Sequence, residues 1–112
     1  MADFSVQHER RGKVTVVTIS GRVDSVTAPT MDAELTQLIS QDKMLVIDIK
    51  DVDFLSSAGV RAIVNALKSA KKARGEVKLA ALPDHTAEIL HTVGIMEIVH
   101  AYPTVEEAVA SF

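Results

Sequence analysis

The sequence predicts an α/β fold: a mixed central sheet that opens with an antiparallel hairpin, continues in parallel βα units and carries about four helices. Three observations predict it. Short runs rich in Val, Ile and Thr alternate with longer segments whose apolar residues recur every three or four positions. The alternation starts only after two strand-like runs joined by a short polar link, which closes a hairpin. One run, Met44–Ile49, is apolar almost throughout, as expected of a strand covered on both faces.

The elements follow in order. Phe4–Glu9 alternates moderately and reads as the first strand, Arg10–Lys13 as a polar turn, and Val14–Ser20 as the second strand. Gly21 to Pro29 is a loop with helix-start chemistry, because Asp24, Ser25 and Thr27 are capping residues and Pro29 is tolerated in a first turn. Met31, Leu35, Leu38 and Ile39 then define one helical face. After the Met44–Ile49 strand, residues 50–59 read as a loop entering a second helix, with Val60, Ile63, Val64 and Leu67 as its apolar stripe. Lys68, Lys71, Lys72 and Arg74 crowd the end of that helix, where cations complement its dipole, and Gly75 terminates it.

Val77–Leu82 is a further strand. Pro83-Asp84 opens a third helix with Ile89, Leu90 and Val93 on its apolar side and Gly94 beyond its end. Met96–His100 reads as a short edge strand. Thr104 and Glu107 have capping-box spacing ahead of a last helix bearing Val105, Ala108, Val109 and Phe112. The order is ββαβαβαβα, without repeat or linker, and the whole chain, residues 1–112, is expected to form one domain.

Composition narrows the function classes. An apolar fraction of 47% with 24% charged residues is globular, and 4% aromatics leave the core to aliphatic side chains. The net charge of -3, with no interleaving of basic and aromatic residues, argues against a nucleic-acid binder. The absence of cysteine removes disulfides, thiol nucleophiles and thiolate metal sites. No window reaches the ~18 apolar residues of a membrane span, and no N-terminal apolar stretch suits a signal peptide. A soluble, cytoplasmic protein without membrane insertion is expected. His8, His85, His91 and His100 show no metal-ligand spacing, and no Gly-x-Gly-x-x-Gly, P-loop or Gly-x-Ser-x-Gly elbow is present.

One segment stands apart: Val52 to Val60 leaves a buried strand and enters a helix through Ser56, Ser57, Ala58 and Gly59. A helix start offers free N–H groups and partial positive charge, so a serine there suits a phosphate. Either serine also suits an N-cap. Asp24 reads equally as a loop cap and as a polar partner contact. The basic group Lys68, Lys71, Lys72 and Arg74 reads as a solvated helix end or as the rim of an interface.

Asp51 to Arg61, reading Asp-Val-Asp-Phe-Leu-Ser-Ser-Ala-Gly-Val-Arg, resembles the phosphorylation loop of bacterial anti-sigma factor antagonists of the STAS family. Ile19-Ser20-Gly21-Arg22-Val23-Asp24 with Thr27-Ala28-Pro29 resembles the family's strand, glycine and aspartate before its first helix, and Tyr102 to Ala108 resembles its tail. The best-known members read Asp-Ser-Ser-Gly or Asp-Ser-Thr-Gly, with the serine after the aspartate phosphorylated. Anchoring on Gly59 puts Ser57 at the acceptor position, with Ser56 where those members have aspartate and Ala58 where they have serine or threonine. The adjacent carboxylate is therefore missing, and Ser56 stays an alternative acceptor.

The resemblance implies a regulatory protein and not an enzyme. Its partner is an anti-sigma factor that is also a serine kinase of the GHKL type, bound through Asp24, Ser56, Ser57, Ala58 and Gly59. The kinase brings ATP and Mg²⁺, so the domain needs no cofactor. Phosphorylation ends the complex, a serine phosphatase resets it, and the domain is expected to be a monomer. The alternative is an accessory or scaffold module of a transporter or signalling complex, without phosphorylation switching.

Overall fold

The computed structural model describes residues 4–112. Among these, strands β1 (Ser5–Arg11), β2 (Val14–Val23), β3 (Met44–Leu55), β4 (Glu76–Ala80) and β5 (Ala101–Tyr102) form one sheet in sequence order. Helices α1 (Ala28–Gln41), α2 (Ser57–Lys72), α3 (Asp84–Thr92) and α4 (Val105–Ala110) connect or follow them. The β1–β2 pair is antiparallel and all the others are parallel. This is the mixed α/β sheet that the sequence predicts.

The sheet separates two unequal cores. The larger joins Val17, Ile19, Leu45, Ile47 and Leu79 of the strands to Met31 and Leu35 of α1, Ile63 of α2 and Leu90 of α3. The smaller joins Val14, Val16, Val46 and Ala80 on the opposite face to Ala108 of α4. The β3 residues of both sets are buried, as the unbroken apolar run requires. Lys78 also lies on the α4 face and is buried. Its Nζ donates to the Ser111 carbonyl (3.0 Å) and contacts the Ser111 hydroxyl (2.7 Å), with the Phe112 ring centroid 4.3 Å away. A buried ammonium needs such partners. Here they are the two residues just past α4, with the Glu76 carboxylate 3.8 Å away, so the amine fastens the end of that short helix to the sheet.

Several boundaries differ from the sequence expectation. β2 and β3 run on to Val23 and Leu55 through register shifts between Thr18 and Ser20 and between Gly21 and Arg22. The bulges keep Val52 and Leu55 in the core where strict alternation would break down. The expected loop from Lys50 to Leu55 is therefore strand. Residues Met96–His100 are not an edge strand: Ile95–Glu97 form a 3-10 turn, and pairing begins at Ala101. Ile95 and Val99, four apart, are both buried, which suits a helical turn and not a strand. Val93 is 54% exposed because it caps α3 beyond its last apolar contact.

The buried face of α2 is also turned from the predicted stripe. Ala62, Ala66 and Ala70 lie at the core with Ile63, while Val60, Val64 and Leu67 are half-buried at its margin. Small residues allow close packing on the sheet and on α1. The helix ends in a pair of reverse bonds, Gly75 N–H to the Ala70 carbonyl (2.7 Å) and Arg74 N–H to the Lys71 carbonyl (3.1 Å). The left-handed residue is Arg74, at φ 61°, and not Gly75. Gly75 has another reason to be glycine: a Cβ there would run into the Lys43 carbonyl. Arg74→Gly removes a left-handed strain of roughly 1–2 kcal/mol, against a glycine entropy cost of about 0.5–1 kcal/mol. It should raise the urea midpoint at unchanged slope, whereas Gly75→Ala should lower it.

Candidate functional site

The loop after β3 is held from beneath. Ser56 N–H donates to the Val23 carbonyl at 2.8 Å, which ties the end of β3 to the end of β2. Ser56 is extended (φ -81°, ψ 173°), and its Oγ accepts from Gly59 N–H at 3.3 Å. The first helical bond of α2 runs from Val60 N–H to the Ser56 carbonyl at 3.0 Å. Ser56 is therefore the N-cap, and half-buried. Ser57 is the first residue of the helix and is exposed. Its hydroxyl enters no hydrogen bond with the described residues. No acidic residue sits in the first turn, so the positive helix end is not neutralised.

Gly59 explains why this turn sits so close to the sheet. A Cβ there would lie 2.5 Å from Leu55 Cδ1 and 2.7 Å from Val23 Cγ1. Both neighbours are core residues without space to move away. Ala58, half-buried, faces the shallow groove between α1 and α2.

Asp24 stands at the end of β2 and serves its own loop. Its Oδ1 accepts from the N–H groups of Val26 (2.9 Å) and Thr27 (3.1 Å), and its Oδ2 accepts from Arg22 Nε (3.1 Å). Its own N–H donates to Thr27 Oγ1 at 2.9 Å. The Thr27 N–H, then the Val26 N–H, hold the carboxyl below its ordinary value against partial desolvation, and the Arg22 bond adds to this. These hydrogen bonds stay within residues 22–27 and do not reach Ser56 or Ser57. Asp24 thus has the loop-forming role, while its Oδ2 side, paired with Arg22, remains at the surface.

Residues that the sequence reading passed over complete this end of the molecule. The Arg22 guanidinium lies 4.1 Å from the centroid of the Phe54 ring. Arg22 and Phe54 are register partners, so the stack follows from the extended β2–β3 pairing. Phe54 is 40% exposed and Val26 80% exposed, an unusual display of apolar surface beside a polar loop. The groove between the helices, about 230 Å³, is lined by Ala28, Pro29 and Asp32 from α1 and by Ala58, Arg61 and Asn65 from α2. The alternation of a strand end could have pointed to Phe54; nothing local marks Arg22. Lys68, Lys71, Lys72 and Arg74 lie exposed at the far end of α2, about ten or more residues from Ser57, and do not join this surface.

The surface offers a hydroxyl, small residues and a positive helix end. It offers no activating base: no titratable side chain bonds Ser57 among the described residues, and among them no group of three or more His, Asp or Glu side chains could hold a metal. The sequence profile of the STAS domain matches residues 5–108. The chain belongs to the STAS domain family. The anti-sigma-B factor antagonist of Bacillus subtilis is 31% identical over 83 residues, 74% of this STAS chain and 76% of that protein. The crystal structure of an anti-sigma factor antagonist from Mycobacterium paratuberculosis aligns with a TM-score of 0.89 at 27% identity, over 97% of this chain and 93% of that one. The murine anion transporter Slc26a9 aligns with a TM-score of 0.77 at 16% identity, over 91% of this chain but 18% of the transporter, a likeness of fold alone.

Two outcomes test the geometry of this STAS site. Gly59→Ala should destabilise the domain by roughly 1–3 kcal/mol through overpacking. In an open helix the same change would stabilise by up to about 1 kcal/mol, so chemical denaturation distinguishes the two. The Asp24 carboxyl is held low in the folded state, so its contribution is present above its ordinary value and lost as pH falls through the folded one. Stability should therefore drop on acidification below about pH 4, and Asp24→Asn should flatten that acid limb. A residual slope is expected from Asp42, held low first by the Thr15 hydroxyl and then by Arg10.

Proposed function

We propose that this STAS domain is an anti-sigma factor antagonist, bound to an anti-sigma factor with serine kinase activity and released when Ser57 is phosphorylated. The observation that carries the reading is the division of labour between the two serines. The Ser56 hydroxyl is engaged as the helix cap, and the Ser57 hydroxyl stands free and exposed beside it. The names of the Bacillus and mycobacterial relatives support the same reading.

The chemistry of release is electrostatic. Phosphate adds about -1.5 to -2 charges and three acceptor oxygens to the contact surface. Seated on α2, it finds the unpaired N–H groups and the partial positive charge of the first turn, so the loop needs no refolding. A partner surface shaped for a hydroxyl must then desolvate a dianion. A hundredfold loss of affinity requires only about 2.7 kcal/mol. Ala58 and Gly59 keep the approach to Ser57 low, and Val26, Phe54 and Asp24 supply apolar and polar contacts around it. The kinase, of the GHKL type, contributes ATP and Mg²⁺; a serine phosphatase resets the cycle. The domain acts in the cytoplasm as a monomer, with no cofactor of its own. A transporter-scaffold role has only the fold likeness on its side and gives the free serine no task.

The test is co-purification from the source cell, followed by phosphate mapping and binding with the recovered kinase. Ser57→Ala should bind and resist release by ATP, while Ser57→Asp should bind at least about tenfold more weakly. Ser56→Ala should lose roughly 0.5–2 kcal/mol of stability and still accept phosphate. Phosphate found on Ser56, or normal release of Ser57→Ala, would refute the assignment.

A further inference from the structure

We propose that Arg61 is the built-in counter-ion of a phosphate on Ser57. The inference rests on Ser57 as the acceptor and adds a residue that decides how the modified state is held. Ser57 and Arg61 lie on the same helix four positions apart, both exposed. That spacing brings their Cβ atoms to within about 5–6 Å on one face, with the anionic member N-terminal, the better orientation. A guanidinium one turn below a serine phosphate reaches its oxygens and can engage two of them at once.

Arg61 is available for this. Among the described residues it takes part in none of the ion pairs, which engage Arg10, Arg11, Arg22 and Lys78. The other charged groups on the elements that meet this turn are Arg22 at the end of β2 with Asp24 just beyond it, Asp32 and Glu34 on α1, and Asp48, Lys50, Asp51 and Asp53 on β3. Asp24 is already paired with Arg22 at 3.1 Å. Asp32 shares the interhelical groove with Arg61, and its Oδ2 is 3.5 Å from Asn65 Nδ2. A dianion one turn away draws the guanidinium more strongly than this singly charged, already hydrogen-bonded carboxylate.

The pairing has a second consequence. In the unmodified protein Arg61 forms part of the groove wall, beside Ala58 and Asn65. On phosphorylation it moves to the phosphate and leaves that wall. The modification therefore alters the surface at two places, by adding charge at Ser57 and by withdrawing the cation from the groove. A carboxylate at the cap position would compete for Arg61. Here Ser56 stands in its place, and the first turn of α2 holds no acidic residue.

The experiment uses the full chain with phosphoserine installed at position 57 during translation, in three versions: parent, Arg61→Gln and Arg61→Lys. The second ionisation of the phosphate is followed by phosphorus NMR. With Arg61 it should lie at least about 0.5 pH unit below its value in Arg61→Gln, with Arg61→Lys between them. The melting temperature should rise on phosphorylation of the parent, and Arg61→Gln should remove that gain while leaving the unmodified protein unchanged. Equal ionisation in parent and Arg61→Gln overturns the pairing, since an exposed arginine is not needed for folding. Affinity for the anti-sigma factor kinase is measured on the same samples. A phosphorylated parent that still binds defeats the release mechanism, and the titration judges the ion pair independently of it.

Discussion

The candidate site depends on one close approach, that of the first turn of α2 to the ends of β2 and β3. Gly59 has no room for a side chain above Leu55 and Val23, and Ser56 N–H is tied to the Val23 carbonyl. These contacts fix the start of the helix against two central strands. Everything exposed at that end inherits the same fixed frame: the Ser57 hydroxyl, the Asp24 loop, the Arg22–Phe54 stack and the mouth of the groove between α1 and α2. A loop with the same residues but no anchor would show its hydroxyl in many orientations, and a partner would have to order it at a cost in entropy.

The anchoring and the electrostatics are handled by different atoms. Ser56 supplies the cap with a neutral hydroxyl, so capping adds no negative charge to the helix end. Asp24 has its charge absorbed by two backbone N–H groups and by Arg22. The surroundings of Ser57 are thus short of competing anions. An added phosphate would enter a field that already favours it, and one that an unmodified hydroxyl scarcely feels.

Much of this was legible in the sequence, for reasons that can be named. Met31, Leu35, Leu38 and Ile39 repeat so regularly that α1 could face only one way, and all four are buried. The apolar run of β3 demanded cover on both sides, and Thr104 caps α4 through Glu107 N–H at 3.1 Å as its spacing predicts. The extension of β2 and β3 was hidden because bulges shift the period in mid-strand, so alternation stops where pairing continues. The face of α2 was misread because periodicity weighs large residues, while close packing selects alanines. The helix end was misread in mechanism: glycine marked the terminus, yet the turn itself is made by Arg74. At the site, anchoring on Gly59 already favours Ser57 as the acceptor with Ser56 as the alternative, whereas which serine caps α2 could not be read locally, because both suit an N-cap. The Arg22–Phe54 stack depends on register, which no local pattern carries.

The two faces of the sheet show why a change at Ser57 can stay local. On one side α1, α2 and α3 share a continuous core with the strands. On the other, α4 rests on a small cluster and is fastened by the buried Lys78 amine. Ser57 belongs to neither core. Its helix is held by Gly59, Ala62, Ile63 and Ala66 on the buried side, while the serine points away from them. Charge placed there would meet water and the helix end, and would break no packed contact of either core. A domain built this way would keep its fold on modification of Ser57 and change only what it presents. A modest free-energy difference at the surface would then suffice to change a contact made there, without loss of stability in the domain.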